Sequence, residues 1–531
     1  MEAESQITQT VGVNAVGKIE TRGVDYIPEA ERYSSPRDLE HVFFGTQLCF
    51  GIIVLGFIPI SFGLDWWGAF SSTLVGLAVG SVMFALLAPL STRTGTNSAV
   101  SSGAHFGVLG RLVGSLVGVF TAVGFYALTV WTGGQALIGG LHKVFGLPNG
   151  QTQNLIGYAV LAAATLIVAI FGHANVVAAN RWLIPTMGVL LIIGAIVLAP
   201  QFKATALGTP LLLGSFGSTW ILSAIIAASL PISYAPYVGD YARYISAKEW
   251  SARRVMLAGG LGMFGGCAVA LTFATYVGTM LPAGSTDWVG GLVDVAPTWY
   301  AVPIALVAIA GSFAQGGLCV YGTGLDTSSI FPSLKRVPAT VLIGALGTIT
   351  VFVGSYATSL IGYASAFLVI LIIVTAPWLV INVIGYFYTG GRYYALDLQV
   401  FNMNPRVRAG AYWYSRGWNI AAMAAWLPAT LIGLLFANTT LYVGPFANVA
   451  GGVDLSFISA SVIAGVIYVV LVKVVPSSLV RPAQVSEADD KRRIASLLGA
   501  RELDFEALGQ HAHEVADEVR PGHSVGHEHL E

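Results

Sequence analysis

Apolar stretches of membrane-spanning length alternate with short polar ones from Val42 to Val472, and Lys473 closes the last of them. A helix rising about 1.5 Å per residue needs about 17 to 25 residues to cross roughly 30 Å of hydrocarbon. The pattern predicts twelve spans, near 42–63, 66–90, 112–141, 153–171, 183–200, 216–245, 255–281, 300–322, 338–359, 362–388, 417–436 and 453–473. Two of them are interrupted. Span 1 reads FFGTQLCFGIIVLGF, with Gly45, Gly51 and Gly56 around the polar pair Thr46 and Gln47. Span 6 runs from the apolar Thr219–Leu230 straight into PISYAPYVGDYARY, Pro231 to Tyr244. Backbone groups freed by a break stay unpaired in lipid, so such breaks persist where protein, water or a solute satisfies them. Both interruptions therefore predict a site inside the membrane, although glycine in span 1 equally suits close helix packing.

Interrupted first helices in two halves of opposite orientation are a mark of secondary transporters. An odd number of spans per half inverts the second, which divides the chain into a tail (1–40), a first repeat (41–200), a second repeat (216–388), two further helices (417–473) and a second tail (474–531). With 55% hydrophobic and 10% charged residues, against about 25% charged in soluble domains, the chain is an all-α polytopic membrane protein. Of 26 Lys and Arg, all but Lys143 and Lys203 fall on one side if both termini share it. Basic residues collect in cytoplasmic loops, which predicts cytoplasmic termini in a multi-pass protein of the cell (inner) membrane.

Cys49, Cys267 and Cys319 all fall within predicted spans, odd in number and without metal-ligand spacing, so neither a disulfide framework nor a metal site is expected. Residues 1–40 are polar and carry acids, unlike a cleavable signal. Ser486 to Val519 predicts a short amphipathic helix with a capping-box start at Ser486 and Asp489, and His523, His527 and His529 close the tail, read as polar tail rather than metal ligands. An ATP-driven pump needs a phosphate-cradling glycine loop with lysine, which neither tail contains. A channel needs a filter segment or charged pore ring. An enzyme needs clustered acid–base groups, whereas His41, His105, His142 and His173 are dispersed.

APYVGDYARYI in span 6 resembles the signature of the nucleobase-cation symporter family one, in its purine and cytosine permease branch. In the same order, RTGTNSAVSSGAHFGVLG (Arg93–Gly110) is similar to that family's loop before span 3, and FGHANVVAANRWLIP (Phe171–Pro185) to its connection between spans 4 and 5. APWLVINVIGYFYTGGRYYALDL (Ala376–Leu398) and GAYWYSRGWN (Gly410–Asn419) resemble the end of span 10 and the loop into span 11. The resemblance implies a leucine-transporter-type fold, a five-plus-five inverted repeat with two added helices. It also implies a secondary active symporter that imports a nucleobase, cytosine or a purine, with a cation by alternating access. The rival readings are an importer of another small heterocycle on the same fold, such as a hydantoin, allantoin or a thiamine precursor, and a sensor that binds without transporting. No nucleic-acid partner or cofactor is expected, and the protein is read as a monomer in the bilayer.

A flat heterocycle offers π faces and an edge of donors and acceptors, so its site should pair aromatic stacking with amide groups. Trp131 and Gln135, four residues apart on one face of span 3, meet that description, and the resemblance places a stacking tryptophan and a glutamine at this spacing. Each residue also suits packing or a helix-to-helix hydrogen bond. Gln47 beside the span 1 interruption, Ser233 and Tyr234 between the two prolines, and Gln315 in SFAQGGLCVYGTGLD of span 8 are the further substrate candidates. Unwound backbone between Pro231 and Pro236 would add donors and acceptors, with Tyr234 a second stacking face.

Asp240 and Arg243, at i and i+3, suit either an anchoring ion pair or, for Asp240, proton coupling. Asp326 reads as the cytoplasmic end of span 8. Sodium-using members of the fold hold the ion between carbonyls of broken span 1 and two hydroxyls of span 8, which suits a hard cation. Here Ser312 is followed by Phe313, so H+ is the expected coupling ion over Na+. Gly385 stands where relatives often carry an acid. On the family pattern, Trp131→Ala abolishes uptake in a transport assay while membrane insertion is unchanged.

Overall fold

The computed structural model describes residues 23–475 apart from 172, 206–207, 332, 335, 357–359, 403–407 and 409. The amphipathic helix and histidines expected beyond Pro476 lie outside the described residues.

Ten described helices are long and apolar enough to cross a membrane: Trp66–Thr94, Arg111–Phe145, Gln151–Ile170, Asn180–Gln201, Phe216–Ala242, Ala252–Gly278, Thr298–Ile330, Val337–Gly354, Gly362–Thr389 and Ser456–Val474. They correspond to spans 2 to 10 and 12 of the hydropathy pattern. Span 1 is the bent pair Pro36–Gly45 and Phe50–Ser61, turned by 72° at its break. At the place of the expected span 11 lies a shorter apolar helix, Ile420–Phe436, so the described residues hold ten helices of spanning length, or eleven with the bent pair, against the twelve expected. Two short helices lie between spans: Ser98–Phe106 before span 3 and Trp288–Val295 before span 8.

Local chemistry sets the ends. Asp65, Ser215, Ser251 and Asn419 cap spans 2, 6, 7 and 11 by accepting from backbone N–H groups of the first turn. Gly95 and Gly146 end spans 2 and 3 in the left-handed conformation that glycine adopts without penalty. Lys143, one of the two basic residues outside the main cluster, donates to the carbonyls of Val293, Asp294 and Ala296 and so caps the C-terminus of Trp288–Val295.

Span 6 is 89% buried over its apolar window and spans 3 and 8 are each 72% buried, whereas spans 5 and 12 are only 22% buried. Spans 3, 6 and 8 therefore form the centre, and spans 5 and 12 turn most of their surface outward. Spans 2 and 6 approach closely because a Cβ on Gly76 would sit 2.1 Å from the Ala224 carbonyl oxygen, and one on Gly80 would sit 2.3 Å from that of Ala228. Small residues that let backbones touch are the usual adhesive where the surrounding lipid is as apolar as the side chains.

Span 6 departs from the expected unwound segment. Phe216–Ser233 and Ala235–Ala242 are separated only by Tyr234, at φ −83° and ψ −3°. The Tyr234 N–H donates to the Pro231 carbonyl at 3.1 Å, and the Tyr237 N–H to that of Tyr234 at 2.9 Å, so tightened turns absorb the prolines without unwinding the chain. A different span carries an unexpected irregularity, a π-helical turn over Ser312–Gly316 in span 8.

The close contact of spans 2 and 6 yields a stability test. Gly76→Ala drives a methyl into backbone and should cost about 1 to 3 kcal/mol. Its apparent melting temperature in detergent should fall by several degrees, while Gly188→Ala, with open space around it, stays at the wild-type value.

Candidate functional site

Four of the segments singled out in the sequence meet at the end of the bundle that holds Gly23–Ser35. The short helix Ser98–Phe106 is capped by Asn97, whose side chain accepts from the Val100 N–H at 3.3 Å. Its first residue touches span 6, where the Gly239 N–H donates to Ser98 Oγ at 2.8 Å. A Cβ on Gly239 would lie 2.1 Å from Ser91 Oγ and 2.6 Å from the Ser98 nitrogen, which accounts for the glycine of YVGDY. At its other end the helix meets the loop before span 11: the Tyr414 hydroxyl donates to the Ala104 carbonyl at 2.7 Å and the Asn419 N–H to that of Phe106 at 2.8 Å. His105 fills the place left by Gly385, where a Cβ would meet the imidazole at 2.2 Å. Its Nε2 sits 3.1 Å from the Tyr393 hydroxyl, and burial pushes its pKa down to about 3. An acid at position 385 would collide with this neutral ring.

Deeper in the bundle, Phe125 of span 3 packs on Tyr234 of span 6 with ring centroids 4.6 Å apart, and on Phe367 of span 10 at 5.4 Å. Beside this stack Gln315, in the π-helical turn, donates from Nε2 to the Tyr234 hydroxyl and, at 3.5 Å, to Cys319 Sγ. Its Oε1 is buried and has no hydrogen-bond partner among the described residues. A π turn re-aims side chains relative to a regular helix and is common at functional sites.

Gln47 lies at the span 1 break, fully buried, donating to Thr46 Oγ1 at 3.1 Å and accepting from the Cys267 thiol at 3.5 Å. Ser233 is buried and spends its hydroxyl on the Ser229 carbonyl at 2.6 Å. Ser312 Oγ is buried without a hydrogen-bond partner among the described residues and lies 2.6 Å from where a Gly133 Cβ would be, facing span 3. Arg243 donates to the Gly23 carbonyl at 2.7 Å and to the Tyr321 hydroxyl at 3.0 Å, linking the N-terminal segment to spans 6 and 8. Asp240, fully buried, lies 2.9 Å from where a Gly322 Cβ would be.

Trp131 lies toward span 9. Trp131 is half-buried, beside Gly354 of span 9. Gln135 Oε1 is buried with no hydrogen-bond partner among the described residues. At about 100° per residue, Trp131 points about 160° away from Thr129 and about 120° away from Phe125. Thr129 faces the span 1 break, 3.8 Å from Cys49 Sγ. The structure thus brings Tyr234 and Gln315 together around Phe125, which the sequence reading did not single out, and leaves Trp131 on another face of span 3. Phe125 is one of 26 phenylalanines in an apolar chain, and nothing local marks it.

The family model for permeases for cytosine/purines, uracil, thiamine and allantoin matches residues 26–458. The chain belongs to this permease family. A curated relative, the putative purine-cytosine permease YxlA of Bacillus subtilis (strain 168), is 25% identical over 474 residues, 86% of this chain and 96% of its own. Among solved structures, the permease is similar to Mhp1, a nucleobase-cation-symport-1 family transporter in a closed conformation with bromovinylhydantoin bound. The TM-score is 0.66 at 15% identity, over 93% of this chain and 99% of that one. It is also similar to a Na+-coupled sialic acid symporter, with TM-score 0.54 and 13% identity over 85% and 92% of the two chains. These likenesses show the leucine-transporter-type fold. The permease is a transporter rather than an enzyme.

Placement of the aromatic groups sets up a comparison of variants. Phe125→Ala and Gln315→Ala should each lower the apparent affinity for substrate in uptake assays by about 10-fold or more, as expected when a stacking face or a buried amide worth about 1 to 3 kcal/mol is removed. Trp131→Ala, measured alongside, reports whether the face of span 3 toward span 9 also touches substrate.

Proposed function

We propose that the permease imports a nucleobase, cytosine or a purine, together with a proton, by alternating access. The observation that carries this reading is the close Phe125–Tyr234 ring pair, its planes tilted by 40°, with Gln315 Oε1 beside it, an acceptor that the N–H edge of a heterocycle would satisfy. Gln47 and Cys319 add polar atoms near the same level, while Trp131 and Gln135 remain proposed contacts on the family pattern.

Loading requires movement. A ring between Phe125 and Tyr234, in contact with both at about 3.5 Å, needs the two aromatic planes about 7 Å apart, whereas their centroids lie 4.6 Å apart. Displacement of span 6 from span 3 opens that gap, which is the motion of a bundle containing spans 1 and 6 rocking against a scaffold containing spans 3 and 8. Arg243, bonded to Tyr321 of span 8, acts in this reading as a contact that parts when the bundle swings, and Asp240 supports it from the preceding turn.

The donor set beside the span 1 break favours H+ over Na+. The part of span 8 against the break is Gly311, where a Cβ would meet the Leu48 carbonyl oxygen at 3.2 Å. Ser312 turns toward Gly133 of span 3 and Phe313 brings no oxygen, so the paired hydroxyls that a hard cation prefers are missing. The distribution of Lys and Arg supports cytoplasmic termini, and we take the permease to act as a monomer in the cell membrane.

Two measurements test this. A thermal-shift screen of purified protein against nucleobases, hydantoins, allantoin and thiamine precursors should give its largest shift with cytosine or a purine, and a larger shift with a hydantoin would reassign the substrate. In proteoliposomes an inside-alkaline pH gradient should drive accumulation in sodium-free buffer. Accumulation under a sodium gradient alone would replace the ion, and binding without counterflow would make the protein a sensor.

A further inference from the structure

Asp326 stands out among the charged groups that the substrate site does not use. It lies in span 8, eleven residues beyond Gln315, fully buried, and neither carboxylate oxygen has a hydrogen-bond partner among the described residues. It is seated on span 3, where a Cβ on Gly118 would fall 1.8 Å from Asp326 Oδ2, so glycine at 118 makes the space that the carboxyl occupies. The Gly118 carbonyl is itself held by span 6, accepting from the Tyr237 hydroxyl at 2.5 Å. Asp240, one turn further along span 6 and also fully buried, lies close enough to act electrostatically on Asp326.

The other charged or titratable groups around Asp326 are Tyr237 and Arg243 of span 6, Arg111 of span 3 and Tyr321 of its own helix, while His105 of the helix before span 3 faces Gly385 of span 10 instead. Arg111 donates to the Ser329 carbonyl at 3.1 Å and to Asn402 at 2.7 Å, and Arg243 to Gly23 and Tyr321. Spans 4 and 9 bring no Asp, Glu, Lys or Arg. A carboxylate with no donor, out of water and beside a second acid, is costly to keep ionised at membrane depth, and the same group becomes cheap to ionise once water reaches it.

We infer that Asp326 is the proton-carrying group of the permease, protonated from outer water before spans 3, 6 and 8 close around it, kept protonated in that dry seat, and discharged when span 6 swings away and inner water reaches it. The proton enters from water on the outer side and leaves to water on the inner side, with only the carboxyl O–H bond formed and broken. Gly118 is the positioning residue that gives the carboxyl its dry seat. This assignment rests on the proposed H+ coupling and names the residue that performs it.

The test uses full-length protein in proteoliposomes, with internal pH followed by a trapped dye and nucleobase by radiolabel. Asp326→Asn keeps the shape and removes the titration. It should retain nucleobase counterflow at a rate that no longer falls as pH rises, and lose at least 10-fold in accumulation driven by a pH gradient, together with the substrate-dependent proton signal. Asp326→Asn with wild-type accumulation and proton signal overturns the assignment while leaving H+ coupling intact. A wild-type protein driven by sodium with no proton signal overturns the coupling reading and this assignment together. Should the variant fail to fold, dicyclohexylcarbodiimide, which labels protonated carboxyls, supplies a readout on the wild type under turnover. Labelling mapped to Asp326 that declines with rising pH supports the assignment, and labelling confined to other carboxyls overturns it.

Discussion

Hydrocarbon gives no hydrogen bonds, and the arrangement of this permease follows from that constraint. Every polar group carried into the bilayer must find a partner within the protein or serve a purpose. Spans 3, 6 and 8, which carry the polar side chains of the site, are accordingly the most buried of the centre, and spans 5 and 12 present mostly apolar surface outward. Several buried hydroxyls follow the same rule by returning to their own helix: Thr132 bonds to the Leu128 carbonyl, Ser229 to that of Ile226 and Thr323 to that of Cys319. The buried amide oxygen of Gln315 and the buried carboxyl of Asp326 are among the polar atoms left without a hydrogen bond in the described residues; the first lies beside the aromatic pair and the second beside another acid.

The two interruptions of the helices meet the constraint differently. Span 1 turns by 72°, and the residues at its corner are covered by the side chains around them. Gln47 bonds to Thr46 and Cys267, and Gly51 abuts Thr129, its Cβ position 2.7 Å from Thr129 Oγ1. Span 6 keeps its axis through a single irregular residue, which turns the Tyr234 ring toward Phe125. Span 8 contributes a π turn instead, and this turn aims Gln315 at Tyr234. One interrupted helix that keeps its direction and one locally underwound helix thus build the candidate site, with the sharp break of span 1 beside it.

Short motifs of the sequence acquire a common purpose in three dimensions. The loop before span 3, the YVGDY turn of span 6 and the loop into span 11 are far apart in the chain, yet Ser98, Gly239, Ala104, Tyr414 and Asn419 join them by hydrogen bonds at one end of the bundle. They hold the end of span 6 that must move if the bundle rocks. Arg93–Gly110, the YVGDY turn and Gly410–Asn419 therefore build mainly this end of the bundle.

Hydropathy alone determined the membrane class, the positions of the spans and the interruption of span 1, because burial in lipid is a property summed over about twenty residues and survives any detail of packing. Tyr234 and Gln315 were also legible as candidates, since a polar group within an apolar span is conspicuous wherever it points. What the tertiary structure decided was which faces meet. Phe125 gives no local signal, and Trp131, conspicuous in sequence, lies about 120° around the helix from it. The proline-rich stretch of span 6 predicted unwinding, but neighbouring turns re-paired the backbone, and the π turn of span 8 left no trace in composition. Asp326 appeared as a residue at a helix end, and only the seat made by Gly118 together with Asp240 nearby gave it a task. Side-chain direction and the dryness of a seat depend on partners distant in the chain, which is why one sequence read along its length does not contain them.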